Sequence, residues 1–201
     1  MRLGTAFLST CLLATTFAFA GNTTELTEVG KESFEAAFPS GGHLHLHIRS
    51  GDISVRGSDQ NKIRVRYDGK NSDQLKDVKV SLKSSGDSGD LHITGGPHND
   101  FRIIIEVPKN SDLWLRVPAG DVEVADVVGS KDVELYAGDL TLQVGSPSDY
   151  GHMDASVRAG DLDTGPFGVT KDGLFRSYET QGSGKYRLHA HVTAGDLTLK
   201  E

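Results

Sequence analysis

Histidines alternate with apolar residues along two short stretches, the spacing that places side chains on one face of a β-strand. His43, His45 and His47 stand in HLHLHI, and His189 and His191 stand in LHAHV. Imidazoles at positions i and i+2 of a strand can share a metal ion. The residues between them are apolar and take the buried side, so the alternative is that these histidines are ordinary solvent-exposed strand residues.

A second set of candidates lies in a phrase that returns five times, a small residue followed by Gly-Asp between two runs of alternating apolar residues. If the copies stack, their carboxylates form a column, which a bound Ca²⁺ would relieve of its repulsion. Asp121, Asp139 and Asp161 are the candidate ligands. Each copy offers a single carboxylate, and the GGxGxD tandem of calcium-binding repeats is absent.

The alternative for the Gly-Asp phrase is structural, and we favour it. Gly reaches positive φ without steric penalty, and an Asp side chain can accept a backbone hydrogen bond within a turn. The five predicted corners are Gly51-Asp52, Gly120-Asp121, Gly138-Asp139, Gly160-Asp161 and Gly195-Asp196.

Aromatic and acidic residues supply the remaining candidates. Trp114, Arg116 and Tyr136 fall on outward positions of predicted strands, where they could contact a sugar or a peptide, although scattered surface aromatics are common. The acidic set Asp121, Glu123 and Asp163 could imitate the acidic clusters of polysaccharide-cleaving solenoids, as could any acidic surface.

Catalytic motifs are otherwise missing from the sequence. There is no G-x-S-x-G, no H-E-x-x-H and no phosphate-binding glycine loop. GSGK, residues 182–185, is followed by Tyr186 where a phosphate-binding loop needs Ser or Thr. We therefore predict a protein that is not an enzyme and that needs no cofactor.

The N-terminal residues have the features of an export signal. Residues 1–20 comprise one positive charge at Arg2, an apolar stretch and a small-residue cleavage site at Ala18-Phe19-Ala20. The only cysteine, Cys11, lies in this segment, so the predicted mature chain has no disulfide and no thiolate ligand.

We divide the chain into the signal peptide at 1–20, an extended or disordered segment at 21–31, and one domain at 32–201. Removing Arg2 leaves 20 basic and 28 acidic residues, a net charge of −8. This acidity argues against nucleic acid as a partner, and no other stretch is apolar enough to span a membrane.

Strand patterns dominate the remaining sequence and predict an all-β fold. Aligned on their glycines, the five copies place apolar residues in shared columns, broken only by Lys131 and Thr164. Gly120, Gly138 and Gly160 follow one another at 18 and 22 residues, as in a repeat of stacked coils.

The predicted architecture is a single-stranded β-helix, or β-solenoid, and the absence of a hexapeptide repeat favours a right-handed one. An antiparallel sandwich is the alternative. A weaker copy, SGDLHI, places a further corner at Gly89. KESFEAAF, residues 31–38, is interpreted as an entry strand in preference to a helix.

The repeat phrases also carry a family resemblance. GGHLHLHIRSGDISVRG, IIIEVPKNSDLWLRVPAGDVEV and GSGKYRLHAHVTAGDLTL resemble the bacterial putative-adhesin domains of unknown function, relatives of the head-GIN auto-transporter-adhesin-like domains. Val107-Pro108 fits a phrase that precedes the first regular rung in that family. The resemblance covers Phe34 to Leu199. It implies a single-stranded β-helix, an exported location and no established enzymatic activity, and it brings no catalytic residues.

The sequence thus predicts an exported, non-enzymatic structural or binding module of the bacterial cell envelope, periplasmic or at the cell surface. Its partner would be an envelope protein or a glycan. One alternative is a polysaccharide-active enzyme or carbohydrate-binding protein on the same scaffold, and another is a metal-binding module.

Overall fold

The protein is built almost entirely of β-strands. The computed structural model describes residues 23–31, 33–70, 72–97 and 100–201. The predicted signal peptide, with Cys11, lies outside the described residues. The strands are β1 (Thr24–Val29), β2 (Ser33–Ala37), β3 (His43–Ile48), β4 (Asp52–Ser58), β5 (Lys62–Gly69), β6 (Lys79–Ser85), β7 (Ser88–Thr94), β8 (Phe101–Pro108), β9 (Asp112–Ala119), β10 (Val122–Ala125), β11 (Lys131–Ala137), β12 (Leu140–Gln143), β13 (Tyr150–Ala159), β14 (Leu162–Thr164), β15 (Val169–Lys171), β16 (Leu174–Gln181), β17 (Tyr186–Ala194) and β18 (Leu197–Lys200). A four-residue helix, α1 (Ser72–Leu75), and two 3-10 turns, Pro147–Asp149 and Gly165–Phe167, complete the described elements.

The strands form two nine-stranded mixed sheets. Sheet A has the order β1-β6-β7-β3-β9-β11-β17-β13-β16, and sheet B has the order β15-β14-β18-β12-β10-β4-β8-β5-β2. Six consecutive strands in the middle of each sheet run parallel to one another. They extend from β7 to β13 in sheet A and from β14 to β8 in sheet B. The outer strands pair antiparallel. The all-β prediction is confirmed, and the parallel centre differs from a sandwich built of hairpins.

Each Gly-Asp phrase connects a strand of sheet A to a strand of sheet B, as a strand–corner–strand unit. The units are β3–β4, β9–β10, β11–β12, β13–β14 and β17–β18. Their registers follow the columns aligned from the sequence: Leu135 pairs with Val117 on one side and with Val192 on the other. The identical corners therefore coincide with identical strand registers.

The spatial order of the units differs from their order in the sequence. β17–β18, the last unit of the chain, lies between β11–β12 and β13–β14 in both sheets. Between β14 and β17, the chain forms β15 and β16, which pair antiparallel with the outer sides of β14 and β13. The chain then returns to place β17 on the inner side of β13. At the other end, β7 and β8 lie outside β3 and β4.

Two sequence-based assignments near the N-terminus can be compared with the strands. The entry segment forms a strand, β2, at the edge of sheet B beside β5. The predicted corner at Gly89 is wrong, because Gly89 lies inside β7 opposite Leu44. A side chain there would meet the ring of Phe38 and the side chain of Leu44. A glycine is therefore required at position 89 because there is no space for a side chain, and not because the chain turns there.

Alternate residues of the strands of both sheets, except the outer strands β1, β15 and β16, are buried in one hydrophobic cluster. Leu46, Leu115 and Val133 are fully buried members of one column. Lys131 and Thr164, which break the predicted apolar columns, are buried as well. The Thr164 hydroxyl donates a hydrogen bond to the Val169 carbonyl oxygen at 2.8 Å. The core thus tolerates polar residues only where a partner is supplied.

Candidate functional site: the histidine face of sheet A

The repeated glycines are needed for their conformation and for their close packing. Gly120, Gly138, Gly195 and Gly160 have φ between +126° and +138°, which residues with a side chain rarely adopt. An added Cβ on each would overlap the carbonyl oxygen of the corner glycine in the neighbouring unit. Both requirements belong to backbone geometry, and neither involves a ligand.

The corner aspartates form a hydrogen-bonded ladder between units. The Asp139 N–H donates to Asp121 Oδ1 at 3.2 Å, and the Asp196 N–H donates to Asp139 Oδ1 at 3.0 Å. The Asp161 N–H continues the ladder to Asp196 Oδ1 at 2.9 Å. The predicted acceptor role therefore runs to the next unit instead of within the turn. Asp52 is exposed at the corresponding corner. The carboxylates of Asp121, Asp139 and Asp196 each gain an N–H donor, which makes stacked like charges tolerable.

One surface holds the chemically distinctive side chains: the outward side of the central strands of sheet A. All histidines in the described ranges lie on it, because β3, β7, β13 and β17 bury the alternate residues. We call this surface the histidine face. Its residues are Asp90, His92, His43, His45, His47, Asp112, Trp114, Arg116, Asp132, Glu134, Tyr136, Arg187, His189, His191, His152, Asp154 and Ser156.

The three histidines of β3 contact different neighbours and do not converge on one point. His43 Nδ1 lies 3.2 Å from Asp112 Oδ2, and His45 Nδ1 lies 3.1 Å from Asp90 Oδ1. His47 stacks on His92, with the ring centroids 4.4 Å apart. Burial, followed by the charge of His92, lowers the pKa of His47.

Trp114 and Arg116 form the aromatic centre of the histidine face. The Arg116 guanidinium carbon lies 4.0 Å from the centroid of the Trp114 ring. The rings of His45 and His47 flank the same tryptophan, at 5.3 and 4.9 Å. Tyr136, the third predicted contact residue, is 67% exposed on the next strand. The structure thus brings all three predicted contact residues to one face.

A groove of about 470 Å³ runs across this face. Trp114, His45 and Asp112 lie on one side, and His152, Asp154 and Arg187 lie on the other. Carboxylates, imidazoles and a guanidinium therefore line the groove together with one aromatic ring. Such a combination suits a polar ligand with an apolar surface, because polar groups fix orientation while the ring supplies contact area.

The sequence did not single out the tightest cluster on the face. Asp132, Glu134 and His189 place one ligand atom each within 4.8 Å of one another, and no other such trio of His, Cys, Asp or Glu occurs among the described residues. The trio depends on β17 lying beside β11, a pairing that the chain order does not indicate. Arg116 Nη2 lies 2.8 Å from Asp132 Oδ1 and 3.1 Å from Glu134 Oε1.

The acidic set considered for polysaccharide cleavage lies on sheet B. Glu123 is on β10 and Asp163 is on β14, with β12 and β18 between them. Three strand spacings separate the two carboxylates, roughly 14 Å. Glycosidases hold their two carboxyl groups roughly 5 to 9.5 Å apart. Asp121 is held in the corner ladder. Glu123 and Asp163 therefore do not form such a pair.

A buried lysine lies under the end of the histidine face. Lys131 is 2% exposed, and its Nζ donates to the hydroxyl of Tyr150 at 3.0 Å and to the carbonyl of Gly129 at 3.2 Å. The Tyr150 hydroxyl donates onward to the Val144 carbonyl at 3.0 Å. Burial lowers the pKa of Lys131 to about 8 and raises the pKa of Tyr150.

Comparisons with known proteins bear on the fold. No family model and no curated protein sequence matches the chain. A solved structure, a putative cell adhesion protein from Clostridium sporogenes, is similar with a TM-score of 0.50 and 12% identity, covering 89% of this chain and 99% of that one. A second solved structure is a putative adhesin from Bacteroides fragilis, with 10% identity over 88% of this chain and 97% of that one. Its TM-score of 0.26 is too low to indicate a shared fold. The first likeness agrees with the predicted putative-adhesin resemblance at the level of the fold.

No helix in the described ranges is long and apolar enough to cross a membrane. The predicted absence of a helical span in the mature chain agrees with this finding.

Proposed function

We propose that the protein is an exported, non-enzymatic, adhesin-like binding module of the bacterial cell envelope, and that the histidine face is its ligand surface. The observation that carries the proposal is the gathering of the described histidines around Trp114 and the groove of about 470 Å³. Polar and aromatic residues concentrated on one face of a regular scaffold are typical of recognition surfaces. The signal peptide supplies the route of export.

The scaffold fits this role if the two sheets are the walls of a β-solenoid. Parallel pairing of identical units in register supports this interpretation. The antiparallel outer strands would then cover the two ends of the stack, as capping repeats do. Right-handed winding stays a prediction.

The ligand of the proposed module is a glycan or an envelope protein. The ring of Trp114 is partly exposed beside polar groups of both charges, which suits the alternating polar and apolar surfaces of a sugar. The rival, a polysaccharide-active enzyme, is disfavoured by the wide separation of Glu123 and Asp163.

Binding of the purified exported chain to isolated envelopes and to a glycan array tests the proposal. We expect Trp114→Ala and Arg187→Ala to weaken binding, while Arg102→Ala does not. Arg102 is an exposed arginine on the outward side of sheet B and therefore a matched control. Absence of binding by the wild type, or equal loss in Arg102→Ala, would refute the assignment of the face. Turnover of any glycan would refute the non-enzymatic part.

A further inference from the structure

The hydrogen bond between His189 and Asp154 orients the imidazole of His189. His189 Nδ1 lies 3.1 Å from Asp154 Oδ2, so the Nδ1 proton is donated to this carboxylate in the neutral ring. The lone pair of the neutral imidazole is then on Nε2. A carboxylate that accepts from the second nitrogen is the usual partner of a metal-binding histidine.

The free nitrogen of His189 faces a carboxylate across β17 and β11. His189 Nε2 lies 3.9 Å from Glu134 Oε1. An imidazole lone pair and a carboxylate oxygen are both electron-rich, so an ion between them would satisfy both. Zn²⁺ makes bonds of roughly 2.1 Å to nitrogen and oxygen, and two such bonds span this distance. Asp132 adds a third donor atom within the same 4.8 Å limit.

Arg116 holds the two carboxylates in the absence of an ion. Its Nη2 contacts Asp132 Oδ1 at 2.8 Å and Glu134 Oε1 at 3.1 Å. Asp132 and Glu134 are two of the three residues that would bind the metal, so the guanidinium and the metal compete for their carboxylates. The side chains of Asp132, Glu134 and His189 are 41% to 47% exposed, although Asp132 Oδ1 itself is buried.

We propose that Asp132, Glu134 and His189 bind one divalent transition-metal ion, with Asp154 positioning the histidine and Arg116 competing for the carboxylates. This goes beyond the proposed function, which requires no metal. One nitrogen and two oxygen donors suit Zn²⁺, whereas Ca²⁺ takes six to eight oxygen ligands. A metal at this position would also release Arg116 beside Trp114.

Calorimetric titration of untagged protein with Zn²⁺ and with Ca²⁺ tests the site, because a histidine tag would bind the probe. Arg116→Met should raise the Zn²⁺ affinity on the order of tenfold, since the two ion pairs of this half-buried arginine no longer compete. In that background, His189→Gln should abolish binding, and Asp154→Asn should weaken it at least tenfold. His45→Gln is the matched control, because it removes another histidine–aspartate pair of the face, that of His45 with Asp90.

The expected result is one Zn²⁺ per chain in Arg116→Met, lost with His189→Gln and kept with His45→Gln. Far-ultraviolet circular dichroism of each variant without metal shows that the fold is retained. Zn²⁺ binding that does not strengthen in Arg116→Met, or that falls equally in His45→Gln, would overturn the proposal. Stronger binding of Ca²⁺ than of Zn²⁺ would overturn it as well.

Discussion

Replacing Lys131 with methionine should stabilise the protein at neutral pH. Lys131 occupies a buried position that pairs with Leu113 and Leu188 on the neighbouring strands. Its pKa is about 8, against an unperturbed value of 10.5. A difference of this size corresponds to about 3 kcal/mol of free energy that opposes folding with a charged amine at pH 7.

Methionine removes this charge and fills the same column with an apolar side chain. The substitution also loses the donors to the Tyr150 hydroxyl and the Gly129 carbonyl, which costs about 1 kcal/mol for each bond. The free energy of unfolding should therefore rise by about 1 kcal/mol at pH 7. This agrees with the behaviour of buried charges replaced by well-packed apolar groups.

The sign of the pH dependence follows from the lowered pKa. Between pH 8 and 10.5 the unfolded chain holds the Lys131 proton more tightly than the folded chain, so the stability of the wild type increases as the pH rises. We expect a gain of about 2 kcal/mol between pH 7 and 9.5 from this group. Lys131→Met should lack that gain, so at pH 9.5 it should be about 1 kcal/mol less stable than the wild type.

Urea unfolding followed by circular dichroism at pH 7 and pH 9.5 measures both effects. Lys83→Met is the control, because Lys83 is exposed on β6 and its loss should change stability by less than about 0.5 kcal/mol. A Lys131→Met variant less stable than the wild type at pH 7 would refute the reasoning. A pH difference that persists unchanged in Lys131→Met would refute it too.

Two further predictions concern the corners. Gly138→Ala should cost several kcal/mol or prevent folding, because the added Cβ meets the Gly120 carbonyl oxygen at a φ of +126°. Gly86→Ala, at a φ of +61° in open space, should cost only about 1 kcal/mol, and equal losses in thermal melts would contradict the role of close packing. Asp139→Asn should be nearly neutral, since an amide oxygen can still accept from Asp196, whereas Asp139→Ala should cost about 1 kcal/mol. A melting temperature raised by Ca²⁺ in the wild type alone would instead favour a cation site at the corners.

The units and their registers could be predicted from the sequence because they depend on local rules. A period of two separates buried from exposed residues, and a glycine at positive φ fixes where the chain turns. Gly89 shows the limit of these rules. Its SGD phrase resembles the corners, but the deciding contact is with Phe38, far away in the sequence.

The order of the units could not be predicted from the same information. Ala155 and Ala190 occupy equivalent columns, as do Val157 and Val192, so one unit fits beside another in several orders. β15 and β16 occupy the outer sides of β14 and β13, so β17 and β18 pair with their inner sides. The cluster around His189 could not be predicted for the same reason, because it forms only when β17 lies between β11 and β13.

Blocking one face of the protein at a time tests whether ligands bind to the outward face of sheet A. Cys11 in the predicted signal peptide is the only cysteine, so single cysteines can be placed in the exported chain without competition. Ser156→Cys lies on the histidine face and Thr141→Cys lies on the outward side of sheet B, each on a regular strand and partly exposed.

After labelling with a maleimide polymer, binding to envelopes or to the best glycan of the array is measured for both variants. We expect the label on Ser156→Cys to block binding, while the same label on Thr141→Cys leaves binding unchanged. Loss of binding with the label on Thr141→Cys, and retention with the label on Ser156→Cys, would show that ligands bind to sheet B instead.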